Sequence, residues 1–181
     1  MINNTELAIL ALVSEQPRYG YQLESVIEQR GMREWTEIGF SSIYYVLNKM
    51  ENKCWLGSEM QPSDGHPARK VYRLTKLGYE ILHQGLVERL SSPRPRTGDF
   101  DIALANLPVL SPDEIIKCLE EYHSSLAHQI TRVQSKWKED KKNNLPTHVD
   151  ELFEHSLIHM QTELNWASKF LQSFKETNKN G

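Results

Sequence analysis

Apolar and polar positions along Phe40 to Lys53 alternate at the helical period. Ile43, Val46, Leu47 and Met50 fall on one face, and Ser41, Tyr45, Asn48 and Asn52 on the other. Ser41 or Ser42 is placed to cap the start. Upstream, Thr5 to Ser14 is almost wholly apolar with Thr5 as candidate cap. Leu7, Ile9, Leu10, Leu12 and Val13 cover more than one face, so this helix is expected to be buried on two sides, one of them, through Leu7 and Leu10, against a partner subunit. Pro17 ends it. A second helix is predicted over Gly20 to Arg30, with Leu23, Val26 and Ile27 inward and Gly31 as its stop. Two helices and a turn before a third give a helix-turn-helix order.

Beyond Lys53 the period shortens. Trp55, Leu56 and Met60, then Val71, Tyr72 and Leu74, form extended runs around the turn residues Pro62, Asp64, Gly65 and Pro67, which predicts a β-hairpin. Thr75 caps a further helix. The stretch Ser91 to Gly98 has two prolines and no large apolar side chain, and reads as a linker between a domain over 1–90 and another over 99–181. In the second domain a short helix over Asp99 to Leu107 precedes Ser111-Pro112-Asp113-Glu114, which combines an N-cap serine, a first-position proline and the glutamate of a capping box. The helix that follows keeps an apolar line from Ile115 through Leu119, Tyr122, Leu126, Ile130 and Val133 to Trp137. The last helix, from about Thr147 to Lys175, carries Phe153, Leu157, Met160, Leu164, Ala167, Leu171 and Phe174 at heptad spacing, the pattern of a dimer seam. A weaker stripe of Leu152, His159, Trp166 and Phe170 lies to one side of it. The fold class expected is mainly α with a small β-hairpin wing: a winged helix-turn-helix domain plus a C-terminal helical dimerisation domain.

The 39% hydrophobic content suffices for a core, yet no run approaches the roughly 18 apolar residues of a membrane span. The opening MINNTELAILALVSEQ lacks a basic n-region and does not read as a signal peptide. Cys54 and Cys118 lie far apart without zinc spacing, which fits a reducing cytoplasm. A net charge of −3 argues against a protein that coats nucleic acid by bulk charge. Between Ser41 and Tyr79, however, Lys49, Lys53, Arg69, Lys70, Arg73 and Lys76 outnumber Glu51, Glu59 and Asp64. That basic island suits a modest DNA-contacting surface.

Taken in order, these residues resemble the PadR family of bacterial transcriptional regulators. LAILALVSEQPRYGYQL is similar to the family's apolar first helix and its Gly-Tyr pair, here Gly20 and Tyr21. Trp35 and the helix carrying Ser42, Tyr44, Leu47, Met50 and Glu51 match a second block; Arg69, Lys70, Tyr72, Leu74, Thr75 and Gly78 match the wing return and fourth helix. Tyr45 stands where members usually have proline. Cys54 stands where a glycine usually ends the recognition helix, which suggests a different helix exit. The resemblance, in the longer subgroup with two long C-terminal helices, implies a homodimer that represses a promoter. Some members release DNA when a small aromatic effector, such as a phenolic acid, binds between the domains.

DNA contact is expected from Ser41, Ser42, Tyr44, Tyr45, Asn48, Lys49 and Asn52 on the helix and from Arg69, Lys70 and Arg73 on the wing. The alternative is an ordinary solvated surface. Trp137, Trp166 and Phe170 are candidates to line an aromatic effector pocket, core packing being the commoner use of such side chains. His155 and His159 share a helix face, but two histidines without thiolate or the HExxH glutamate make a weak metal motif, and no cofactor is expected. GxSxG, P-loop, GxGxxG and CxxC are all absent, so nothing nominates catalysis. The expectation is a cytoplasmic regulator on an inverted-repeat duplex operator. A winged-helix adaptor that binds protein without DNA specificity is the alternative.

Overall fold

The computed structural model describes residues 2–34, 43–63, 66–93, 98–142 and 144–179. The chain divides into two compact units, 1–95 and 96–181.

The first unit opens with α1 (Asn4–Glu15), β1 (Arg18–Tyr19) and α2 (Gly20–Gln29). A 3-10 turn at Met32–Glu34, α3 (Ile43–Asn52), β2 (Leu56–Ser63), β3 (His66–Leu74) and α4 (Lys76–Ser91) follow. α1 begins earlier than expected: Asn3, not Thr5, is the cap. The Asn3 side chain accepts from the Glu6 N–H at 2.8 Å while the Glu6 carboxylate accepts from the Asn3 N–H at 3.1 Å. This capping box satisfies two of the donors that a helix start leaves open. Ile9, Leu10, Leu23, Ile27, Ile43, Leu47 and Met50 are completely or almost completely buried in a single core. Each contributes roughly 1.5–3 kcal/mol of gross burial energy. Leu7 (7% exposed) and Leu10 (0%) belong to that core, so the expectation that they meet a partner subunit is corrected. The second side of α1 is covered by α4 of the same chain. Gly85 of α4 comes so close that a Cβ there would stand 2.8 Å from Leu7 Cδ1.

β2 and β3 form an antiparallel hairpin with Leu56 opposite Leu74, Ser58 opposite Tyr72 and Met60 opposite Lys70. β1, which the period analysis does not resolve, pairs with the other edge of β3, giving the order β1-β3-β2. Two residues are too few to show alternation, and Arg18 is buried for another reason. Its Nε donates to the Leu12 carbonyl at 3.0 Å, and its guanidinium meets Glu15 at 2.8 Å.

The exit from α3 is not the different one that a non-glycine residue suggests. Cys54 adopts φ 58, the left-handed conformation, and the Cys54 and Trp55 N–H groups donate to the Glu51 and Met50 carbonyls at 2.8 and 2.9 Å. This is a Schellman end with cysteine in the glycine position. Thr75 caps α4 as expected, accepting from the Gly78 N–H at 2.9 Å while its hydroxyl donates to the Cys54 and Trp55 carbonyls. Gly78 permits that junction, because a Cβ there would lie 2.0 Å from the Trp55 oxygen.

The second unit holds α5 (Asp99–Ala105), a 3-10 turn at Leu107–Val109, α6 (Pro112–Lys141) and α7 (Thr147–Lys179). The Ser111–Glu114 capping box forms as read. α6 and α7 pack along their length, with Ile115, Leu119, Leu126 and Ile130 buried. The heptad line of α7 is therefore partly in use inside the chain. Ala167 is 0% exposed, which corrects its assignment to a subunit seam, and Phe153 stacks on Trp137 with ring centroids 6.2 Å apart while staying half-buried. Leu157, Met160, Leu164, Leu171 and Phe174 are half-buried. Exposed apolar side chains of this unit include Ile102, Val109, Leu110 and Ile158.

Candidate nucleic-acid interface

α3 presents two faces of opposite character. Ile43, Val46, Leu47 and Met50 are each 6% exposed or less, so the helix is fixed rigidly by its inner side. Tyr45 (70% exposed), Asn48 and Asn52 form the outer face, and none of these side chains carries a charge. An asparagine amide offers the donor–acceptor pair that matches an adenine edge, and a phenol offers a donor for phosphate or base. Tyr44, 55% exposed, leans back over α2. A Cβ on Gly20 would come within 2.6 Å of the Tyr44 ring, so glycine at that position is what lets the ring lie there. Ser41 and Ser42, including their expected capping role, lie outside the described residues.

Among the described residues, four of the six cations of the basic island are ion-paired. On one flank of α3 Lys49 and Lys53 approach the Glu6 carboxylate at 3.0 and 3.4 Å. On the other, Glu51 binds Lys70 of β3 at 2.5 Å and accepts the Ser58 hydroxyl. On the exposed strand face Arg73 pairs with Glu59. Proton affinities follow. The hydrogen bond to Glu6 raises the Lys49 pKa and that to Glu51 raises Lys70, while Lys70 and Arg73 lower their glutamate partners. Arg69 differs in having no acidic partner among the described residues. Its guanidinium lies 5.2 Å from the centre of the Tyr21 ring, which stacks on Tyr19, whose hydroxyl donates to Gln61. A cation–π contact leaves the outward N–H groups of an arginine able to meet phosphate. Lys49, Lys70 and Arg73, expected as DNA contacts, come to the surface already ion-paired.

The effector candidates do not gather in one place. Trp166 stacks on Phe170 at 5.5 Å and meets Phe100 edge-on at 5.7 Å, while Phe100 stacks on Tyr122 at 4.5 Å. Trp137 belongs to the far end of the α6–α7 hairpin. Its indole N–H donates to Asp150 at 2.6 Å, and Lys141 sits over its ring. Phe153, its stacking partner, is about 20 Å along α7 from Trp166 at 1.5 Å per residue, so the expectation of a shared pocket is corrected. His155 and His159 touch through their Nε2 atoms at 3.2 Å. Among the described residues no group of three or more His, Cys, Asp or Glu side chains gathers as a metal site. Both cysteines are free thiols, and no helix among the described residues is long and apolar enough to cross a membrane.

Residues 9–84 match the Transcriptional regulator PadR-like family. The N-terminal unit belongs to the PadR-like family. The match takes in α2, α3, the wing and most of α1 and α4, the elements that carry the surface described above. No curated protein matches the sequence. Among solved structures, Bacillus subtilis PadR in complex with operator DNA is 18% identical, with a TM-score of 0.76 over 93% of this chain and 98% of that one. The same protein in complex with p-coumaric acid is 19% identical, again with a TM-score of 0.76, over 94% and 98%. A PadR-like regulator from Bacillus cereus is 18% identical, with a TM-score of 0.69 over 96% and 99%. At these identities the likeness establishes the fold, and it extends from the PadR-like unit through the two long C-terminal helices. PadR-like proteins are transcriptional regulators rather than enzymes.

Sequence reasoning placed the neutral outer face of α3 and the wing strands, but missed that Glu51 pairs with Lys70 and that Glu6 holds Lys49 and Lys53. Glu6 carried one legible signal: it stands three residues after Asn3, the spacing of a capping box. Nothing local indicated that its second oxygen serves α3.

Proposed function

We propose that the chain is a homodimeric repressor that binds an inverted-repeat operator, one α3 entering the major groove of each half-site. The observation that carries this reading is the uncharged hydrogen-bonding face of Tyr45, Asn48 and Asn52 on a helix anchored by four buried side chains. Tyr44 and Arg69 stand beside it to meet the backbone. The operator complex of B. subtilis PadR supports the reading by analogy of fold. For dimerisation the support is the exposed apolar set Ile102, Val109 and Ile158, together with the half-buried α7 residues Leu157, Met160, Leu164, Leu171 and Phe174. A two-fold axis would match a palindromic operator.

A small aromatic effector is proposed to release the DNA, and the cluster of Phe100, Tyr122, Trp166 and Phe170 is its candidate contact. The p-coumaric acid complex of B. subtilis PadR supports an effector of that chemical class. To switch anything, the ligand must bind the DNA-competent and released arrangements with different affinity. The function is placed in the cytoplasm, where the operator is.

A mobility-shift titration on the duplex upstream of the chain's own coding region, at two salt concentrations, tests the reading. Specific binding that weakens as salt rises supports it. Absence of any preference over random duplex refutes it in favour of the protein-binding adaptor, which the ion-paired state of Lys49, Lys70 and Arg73 makes worth testing.

A further inference from the structure

The two oxygens of Glu6 have separate duties. Oε2 accepts the Asn3 N–H in the capping box, which fixes the side chain to the first turn of α1. Oε1 faces α3 and lies 3.0 Å from Lys49 Nζ and 3.4 Å from Lys53 Nζ. The side chain is only 2% exposed, whereas each lysine retains 39% of its surface. Lys49 and Lys53 are one helical turn apart on a flank of α3. A helix lying in the major groove turns such flanks toward the sugar-phosphate strands. Two lysines there would ordinarily add sequence-independent attraction, which raises affinity for every duplex alike. They are not free to do so. If they swung to phosphate, a buried carboxylate would be left without its counter-charges, the most unfavourable state for such a group.

We propose that Glu6 is a specificity residue of the DNA reader. Its carboxylate holds Lys49 and Lys53 away from phosphate and so suppresses adhesion to arbitrary sequence, leaving selection to Tyr45, Asn48 and Asn52. On the opposite flank a second carboxylate, Glu51 of α3 itself, holds Lys70 of the wing and accepts the Ser58 hydroxyl, though it is 28% exposed. A reader so built binds random duplex weakly and with a shallow salt dependence, despite the lysines along its edge. This inference rests on the DNA-binding reading above and adds to it the source of discrimination.

The test uses the full chain and two duplexes, the upstream region and a random sequence, each titrated over a range of salt. Glu6→Gln can still accept the Asn3 N–H but lacks the charge. It should bind random duplex on the order of tenfold more tightly, and the slope of log K against log salt should steepen by about 1.8, the release expected for two phosphates. The specificity ratio falls accordingly. Adding Lys49→Gln and Lys53→Gln to that variant should return the slope to the wild-type value. A folded Glu6→Gln protein, verified by circular dichroism, whose slope on random duplex is unchanged would overturn the proposal and leave Glu6 a tie between helices. Should Glu6→Gln not fold, Lys49→Gln/Lys53→Gln in the otherwise wild-type chain decides. A slope reduced by less than one supports the proposal, and one reduced by about 1.8 means that the lysines already touch phosphate and overturns it. Failure of the repressor reading is seen separately, as wild-type protein that binds its upstream region no better than random duplex.

Discussion

Replacing Cys54 by glycine is expected to stabilise the protein. The residue closes α3 with φ 58, and an L side chain in that left-handed region costs roughly 1–2 kcal/mol through the crowding of Cβ against the carbonyl oxygen. Glycine removes the crowding but enlarges the conformational freedom of the unfolded chain, which takes back about 0.4–1 kcal/mol. The Cys54 side chain is exposed, so its loss forfeits little packing. The hydrogen bonds of the junction are also kept, because the Thr75 hydroxyl donates to the main-chain carbonyl of Cys54 rather than to its thiol. The net expectation is a gain of about 0.5–1 kcal/mol. For a domain of this size that corresponds to about 3–6 °C in the melting of the N-terminal unit. Thermal unfolding followed by circular dichroism measures it, with Cys54→Ala as control. Alanine carries the same Cβ and should stay within about 0.5 kcal/mol of wild type. A Cys54→Gly protein that melts at or below the wild-type temperature would show that the left-handed residue is not strained, and the argument from backbone geometry would fail.

Further expectations can be checked alongside. Gly78→Ala should destabilise the N-terminal unit by about 2–4 kcal/mol in urea titrations, since the new methyl would sit 2.0 Å from the Trp55 oxygen and must part α4 from the base of the wing. Asn48→Ala should weaken operator binding by about 1–3 kcal/mol while leaving the salt slope as it was, which fluorescence anisotropy at several salt concentrations would establish. Stability of the N-terminal unit should fall in acid. The Arg30 hydrogen bond lowers the Glu15 pKa, and Glu51 is lowered chiefly by its hydrogen bond from Lys70. Burial pushes Glu6 up, but the Asn3 N–H and the two lysines bring it below its ordinary value. Depressed folded-state values mean that the stabilisation is complete above the unfolded value of about 4.3 and is lost as pH falls through the folded ones. Glu15→Gln should flatten that acid limb in a pH series of urea midpoints. If an aromatic effector binds the Phe100–Trp166 cluster, Trp166→Phe should abolish the fluorescence response to p-coumaric acid and Trp137→Phe should preserve it; the reverse pattern would place the ligand at the hairpin end.

What could be read without the structure was whatever repeats over short distances. Ile43, Val46, Leu47 and Met50 declare the buried side of α3 because a helix imposes its own period, and Ser111 with Glu114 declares the start of α6 for the same reason. Contacts between distant segments left no such trace. Glu6 and Lys53 are 47 positions apart, and the acid that holds Lys49 and Lys53 lies outside the window between Ser41 and Tyr79 in which the basic island was read. The heptad line of α7 was equally blind to its partner. Apolar spacing states that a surface will be covered, and α6 of the same chain covers Ala167 as well as a second subunit would. The left-handed turn at Cys54 was misjudged because residue preference was weighed without the Schellman hydrogen bonds and the Thr75 contact that hold the backbone there.

The packing of Tyr44 over Gly20 has an evolutionary corollary. The phenol points where it does because an atom is missing on a neighbouring helix, so its aim is set from a position that need never meet the operator. Enlarging that position would tilt the ring outward while every side chain on the reading surface kept its identity. A lineage could thus drift toward a new target site by changing a residue that a comparison of DNA-facing positions would pass over.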